Sequence, residues 1–459
     1  MPIPDVKSQR PRLRRLWRLS WPAIIEQILN TMVSYVDAAM VGVLGAVGSA
    51  AVSVNGPPLW LIGGVLAGVG IGYAVQVSNA VGAGDRERVK LILRQSFLAV
   101  TVCGLAACGL YELLGGSLPR WLGAKPDVLP HAVFYLRVFA ASLPFQAMLR
   151  VYGAILRCMG NTKTPMLYNV GANLLNVVLN FFFIYPTRSW QGLTIPGLGL
   201  GVEGAAIATA LSVACGGLFA LGTVFRQKGY ETSLREGLAP HGPIIRRAAR
   251  LGIPSAVERI IINMGQIATT ALVGHALTTA ALAANSIATT AEGLCYLPAF
   301  GIGAAATTLV GQSVGAGDRE DANAYGILTG ISGFLLCVFT GFLLFRFSVP
   351  LAALFNSDPQ VVEEAAAALR VVSVSEPFFA LSIVLTSALR GADDVRFPVV
   401  LGLACMWLVR VPLACFLILG KGFGLTGVWA AMAVDLTLRG ILCAWRWKSG
   451  KWVHLSGLG

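Results

Sequence analysis

Within an apolar stretch near the start of the chain, residues 20–43, one carboxylate stands out: Asp37. In a helix built on that stretch it would lie roughly 25 Å from the inner end at 1.5 Å per residue. Gln27, Asn30, Ser34 and Asp37 recur at spacings of three and four residues, which puts them on one helix face while the rest of the surface stays apolar. A second apolar stretch, 165–186, repeats the device with Asn169, Asn173, Asn176 and Asn180. Such amides often glue membrane helices together, and for Asn169 and Asn173 that reading stands beside a functional one. Four in register facing a carboxylate stripe suggest a wet cavity. Carboxylate, amide and hydroxyl oxygens suit a small hard cation; they also suit a carboxyl that takes up a proton.

The second half of the chain offers Glu292, Glu376 and Arg410 inside apolar stretches. A charge held within a bilayer costs at least ~2.5 kcal/mol on insertion scales, which makes each one a functional candidate. Two readings stand for this group: a structural ion pair between Arg410 and one of the glutamates, or a second proton site or substrate contact. Glu26 and Glu258 fall near the inner ends of their stretches and read as structural.

The elements that must position these residues are long and apolar. Of the 459 residues 56% are hydrophobic and 12% charged, with a mean hydropathy of +0.71. Soluble domains carry roughly 25% charged residues, so a bilayer is the natural solvent for this chain. Stretches long enough to cross it fall at 20–43, 54–80, 92–113, 131–155, 165–186, 199–225, 251–275, 284–310, 325–348, 364–388, 398–419 and 424–445. They predict an all-α integral membrane protein of about twelve transmembrane helices. The net charge of +13 concentrates in alternate loops; the opposite loops hold only Arg120, Lys125, Arg188 and Lys421. That bias predicts both termini in the cytoplasm, in a cell inner (plasma) membrane, and explains the basic balance without nucleic acid. The basic segment before the first stretch (Lys7 to Arg18) leads into an apolar run too long for a signal-peptide core, so that run is kept as helix 1.

A repeat organises the chain. VGAGDRE occurs at 81–87 and again at 314–320, and nearly the same offset aligns Pro22 with Pro254, Glu26 with Glu258 and Leu156-Arg157 with Leu389-Arg390. Each half therefore holds six helices in the same orientation. The expected organisation is a basic segment 1–19, a bundle 20–225, a cytoplasmic linker 226–250, a bundle 251–445 and a tail 446–459. The repeat is unequal: Asp37 aligns with Thr269 and Asn180 with Leu413. The VGAGDRE loops lack the GK[ST] of a phosphate loop and read as tight turns. Nine cysteines and four histidines are scattered, with no CxxC and no metal spacing. No catalytic cluster is visible, so no enzyme, no cofactor and no catalytic residue are expected.

WPAIIEQILNTMVSYVDAAMVGVLG at 21–45, the two VGAGDRE turns, LRCMGNTKTP at 156–165, GVEGAAIAT at 201–209 and LVGQSVGAG at 309–317 resemble the multidrug and toxic compound extrusion (MATE) family over nearly the whole chain. The resemblance implies a V-shaped pair of six-helix bundles that alternates between outward-open and inward-open states. It implies export of organic, often cationic, amphipathic compounds in exchange for H+ or Na+. It places a cation site on Asp37, Asn176, Asn180 and Thr209 and a hinge at Pro22. The family's second aspartate is Asn180 here, and a site built on one carboxylate favours H+. Gln27, Asn30, Glu292, Glu376 and Arg410 are kept as candidates for substrate or a second coupling site. A monomer in the lipid bilayer, acting on a small molecule, is expected. A flippase for a lipid-linked oligosaccharide or cell-wall precursor is the alternative; the in-span arginines that it would need are few (Arg150, Arg259, Arg410, Arg439).

Overall fold

The computed structural model describes residues 6–190, 193–455 and 457. Twelve helical spans follow one another: α1 (Val6–Gly42), α2 (Gly45–Gly82), α3 (Arg86–Leu114), α4 (Leu129–Cys158), α5 (Lys163–Ile184) and α6 (Gly201–Phe225), then α7 (Gly242–Ala276), α8 (Thr279–Gly315), α9 (Arg319–Arg346), the pair Pro359–Ser373 and Glu376–Gly391 as α10, Arg396–Gly420 as α11, and α12 (Gly424–Lys448). The two parts of α10 meet at a 56° bend, with Glu376 opening the second part. Among the described residues nine helices are long and apolar enough to cross a membrane, ten with the bent pair counted once. The two that fall short, α1 and α7, open the two halves, and both begin with basic turns and carry polar residues along their length. A short hairpin, β1 (Pro186–Trp190) with β2 (Leu193–Leu198), joins α5 to α6.

Local chemistry accounts for the helix ends. In both VGAGDRE turns a glycine takes positive φ (Gly84 at 71°, Gly317 at 75°), a conformation that costs a side chain dearly. The following aspartate then caps the next helix: Asp85 accepts from the Arg88 amide and Asp318 from the Asp321 amide. The repeated motif is thus a helix stop joined to a helix start.

Three boundaries differ from expectation. Residues 6–19 are not a segment preceding helix 1 but its first turns. They stay helical because Leu16 and Leu19 bury against α8, while Arg12 pairs with Asp321 at 2.7 Å and Arg15 donates to Gln312 at 2.6 Å. Residues 242–250 of the expected linker belong to α7, with Pro243 in its first turn, where a missing N–H costs nothing. In the expected tail, 446–448 complete α12, and a helix at Lys451–Leu455 stacks Trp452 on Trp447 at 4.5 Å.

The outer surface is apolar: Leu113, Phe342, Leu408 and Leu419 are all exposed. In water such a surface would aggregate; in lipid it is solvated. The two lobes touch through α2 with α7, α2 with α8 and α1 with α8. Small residues make this seam. A Cβ on Gly72 would lie 2.4 Å from the Ala248 carbonyl oxygen, and one on Gly82 would lie 1.9 Å from that of Gln312. These contacts occupy the end of the molecule that carries the chain termini and the connection between the lobes. Toward the opposite end the seam gives way to a cleft with exposed Trp60, Met264 and Ile267.

Candidate functional site

Helices α1 and α5 run side by side in the same direction, and three polar residues of one bond three of the other at a constant separation of 143 residues. Asn169 donates to Glu26 at 2.8 Å, Asn173 to Asn30 at 2.5 Å, and Asn180 to Asp37. The two stripes predicted from spacing therefore face each other. One member differs: Glu26, not Gln27, meets Asn169, and Gln27 is half-buried with no hydrogen-bond partner among the described residues.

At the far end of this ladder a chain of bonds continues into α6. Asn180 donates to the Asn176 carbonyl at 3.3 Å, and Asn176 to the Thr209 hydroxyl at 3.2 Å. Asp37, Asn173, Asn176 and Thr209 line a cavity of about 180 Å³ that Ser34 and Ser212 also border. Asn180 is fully buried, and its carbonyl oxygen has no partner among the described residues. A buried acceptor left unsatisfied costs about 1–3 kcal/mol, and this one stands beside a half-buried carboxylate. Pro22 is buried within α1, where its ring removes the bond to the Arg18 carbonyl.

The second lobe is built differently. A cavity of about 720 Å³ lies among α7, α8, α11 and α12, with Trp60 of α2 at its rim. Glu292 and Arg410 line it, together with Asn263, Gln266, Asn285 and Trp429. Trp429 donates to Asn285 at 3.0 Å, and Arg410 to Gln266 at 3.0 Å. Arg410 occupies a wide helical turn, Cys405–Arg410, of the kind that often marks functional positions. Its acidic neighbour is Asp435 of α12 at 3.9 Å, which Arg439 also grips through two bonds of 2.6 and 2.9 Å. The ion pair predicted between Arg410 and Glu292 or Glu376 is therefore replaced by an Arg–Asp–Arg cluster. Asp435 four residues before Arg439 on an apolar helix was the available signal. Glu376 lies apart from the cavity lining, fully buried, with both carboxylate oxygens unpartnered among the described residues.

One feature is common to both lobes. Arg157 of α4 pairs with Glu26 at 2.9 Å, and Arg390 of α10 pairs with Glu258 of α7 at 2.7 Å. The sequence repeat aligned both glutamates and both arginines; their pairing appears only in three dimensions. A buried carboxylate matched to its own arginine is structural, as expected for Glu26 and Glu258.

Two pseudo-equivalent six-helix lobes, an apolar belt, and polar cavities that open between and within the lobes define a multi-pass membrane transporter. The chain belongs to the MatE family, whose model matches residues 22–182 and 254–416, one segment in each lobe. It is 28% identical to "Probable multidrug resistance protein NorM" of Thermotoga maritima, over 97% of this chain and 94% of the relative. It is 30% identical to "Probable multidrug resistance protein NorM" of Pseudomonas aeruginosa, over 96% of this chain and 90% of the relative. Its fold matches a solved structure described as "Outward-facing conformation of a multidrug resistance MATE family transporter of the MOP superfamily", with a TM-score of 0.88, 24% identity and coverage of 97% and 96% of the two chains.

Proposed function

We propose that the protein is a secondary antiporter of the plasma membrane, with both termini cytoplasmic, that exports organic amphipathic compounds, cationic ones included, in exchange for H+. The observation that carries this reading is the corner at Asp37, where the Asn180 carbonyl is idle and the Thr209 hydroxyl lies one bond further along. A proton neutralises a lone carboxylate completely. A sodium ion needs several oxygens and gains from a second carboxylate, and Asn180 stands where that carboxylate would be. This favours H+ over Na+ as the coupling ion.

In this reading, alternating access operates across the seam. The lobes pack closely at the end bearing the termini and flank a cleft toward the other, where Tyr35 of α1 still donates to the Thr290 carbonyl of α8 at 3.3 Å; with cytoplasmic termini this corresponds to an outward-facing state. The closed end rests on small-residue packing, the part-exposed Arg12–Asp321 ion pair and the Arg15–Gln312 hydrogen bond, contacts that can part without stranding a buried ion pair. Protonation of Asp37 removes the charge that Asn180 holds, so the α1–α5 ladder binds differently in its two charge states. Such a difference is what a coupling ion needs in order to bias the two conformations. The test is efflux of a fluorescent cationic dye from proteoliposomes under a pH gradient alone and then a Na+ gradient alone. Efflux driven by the pH gradient supports the reading. Efflux driven only by Na+ removes the H+ assignment, and no efflux under either gradient removes antiport.

A further inference from the structure

Two arginines at membrane depth have neither a carboxylate nor a hydrogen-bond partner among the described residues: Arg150 of α4 and Arg259 of α7. Each stands about 12 Å along its helix from the closed end, at 1.5 Å per residue: Arg150 eight residues before Cys158, Arg259 eight after Leu251. Uncompensated charge at that depth is expensive and is kept for function. Three other span arginines are matched to acids, Arg157 with Glu26, Arg390 with Glu258 and Arg439 with Asp435, and Arg370 donates to the Ser348 hydroxyl. Glu258, adjacent to Arg259, is therefore already taken.

The two arginines flank one stretch of α2. A Cβ on Gly63 of α2 would lie 3.8 Å from Nη2 of Arg150, and one on Gly64 would lie 3.2 Å from Cβ of Arg259. Two adjacent residues, whose Cα atoms are about 3.8 Å apart, are thus flanked by one arginine from each lobe. Arg150 shares a helix face with Ala154 and Arg157, which line a cavity of about 160 Å³ between the lobes. Arg259 lies one turn before Asn263, which lines the 720 Å³ cavity, and its guanidinium stands 5.9 Å from the centre of the Phe300 ring. Both residues are exposed and both lie against α2, the helix that packs between the lobes.

We propose that Arg150 and Arg259 form an oxyanion clamp at the floor of the cleft, which takes the carboxylate or phosphate group of an amphipathic substrate whose body occupies the adjoining cavity. The guanidinium fork suits such groups because it can donate two parallel bonds to one oxyanion. Each lobe supplies one arginine, so an oxyanion bound to both bridges the lobes, and opening the closed end changes its affinity. Glu292, on the cavity wall, is placed for a cationic group on the same molecule. The substrates so defined are zwitterionic amphiphiles and amphiphilic anions. This deepens the exporter reading and rests on it for transport, though not for binding.

The experiment uses a matched pair of dyes, a rhodamine free acid and its ethyl ester, which differ only in the oxyanion. Binding to the purified full chain in detergent is read by fluorescence anisotropy without any gradient, so a failure of antiport leaves the result interpretable. Arg150→Gln and Arg259→Gln should each weaken the free acid at least tenfold and the ester less than twofold, with unchanged thermal unfolding. The lysine variants should recover part of the loss. Equal weakening of both dyes, or of neither, overturns the clamp. A third arm follows flipping of an NBD-labelled anionic phospholipid in vesicles. Loss of flipping with free-acid binding intact would move the oxyanion from a soluble substrate to a lipid headgroup and overturn the assignment to a small molecule.

Discussion

The two lobes share a scaffold and differ in what they do with it. In each, the first helix offers a glutamate to an arginine on the fourth, Glu26 to Arg157 and Glu258 to Arg390. Beyond that bridge the first lobe continues as a ladder of neutral amides that ends on one half-buried acid, Asp37. The second lobe ends in a matched Arg–Asp–Arg cluster beside a cavity of about 720 Å³. One lobe keeps a half-buried carboxylate held by an amide alone. The other commits Asp435 to two arginines, keeps Glu292 and Glu376 without an arginine partner among the described residues, and keeps space. The contrast matches the proposed division of labour, with ion handling in the first lobe and bulky cargo in the second.

The hardest test of that division is Asp37→Asn. It should abolish coupled efflux, by at least about a hundredfold, equivalent to about 2.7 kcal/mol, with protein abundance and dye binding unchanged. Retained efflux would end the comparison, because the first lobe would have no ion to handle. Asp435→Asn should act the other way. It strands Arg410 and Arg439 in a buried cluster, and removing one partner of such a cluster costs about 3–5 kcal/mol. Thermal unfolding in detergent should fall accordingly; a stable, inactive protein would instead put Asp435 in the coupling machinery.

The shared bridges allow a finer comparison. Arg390→Gln should destabilise by about 2–3 kcal/mol. Arg157→Gln should cost about 1 kcal/mol less, because Glu26 keeps its bond to Asn169 and its arginine is the more exposed of the two, at 21% against 11%. A reversed order, read from parallel unfolding curves, would mean that the bridges are not equivalent. The smallest effect expected is that of Asn180→Asp. Restoring a second carboxylate beside Asp37 should raise apparent Na+ affinity about tenfold, equivalent to about 1.4 kcal/mol, read as Na+-dependent protection from thermal unfolding. No change would show that the corner does not hold a cation through these groups.

Much of the fold was legible because its causes are local. A run of apolar residues long enough for a bilayer reads as a span wherever it occurs, and the VGAGDRE turns declared themselves by repetition. Stripe positions were legible for the same reason: spacing sets a helix face. What faces that stripe was not. Gln27 looked like the first rung, yet Glu26 is the residue that bonds α5, because the rotation of α1 against its neighbour is set by packing along its whole length. Asp435 carried a signal, an acid one turn from an arginine in an apolar helix, but its pairing with Arg410 depends on α11 and α12 lying together. The extension of α1 back to Val6 likewise needed α8 to cover Leu16 and Leu19.

By itself the sequence determined that the chain crosses the membrane about twelve times in two related halves, and that one acid and a row of amides lie on facing kinds of helix. Hydrophobic length and helical period are properties of neighbouring residues, and they survive without a partner. Only the tertiary structure decided which charges neutralise one another and which stand alone. Arg157 and Arg150 lie seven residues apart on one face of α4, yet one meets Glu26 and the other meets no carboxylate among the described residues. Electrostatic energy within a low-dielectric interior depends on distances of a few ångströms between residues far apart in the chain, and those distances exist only once the helices have packed.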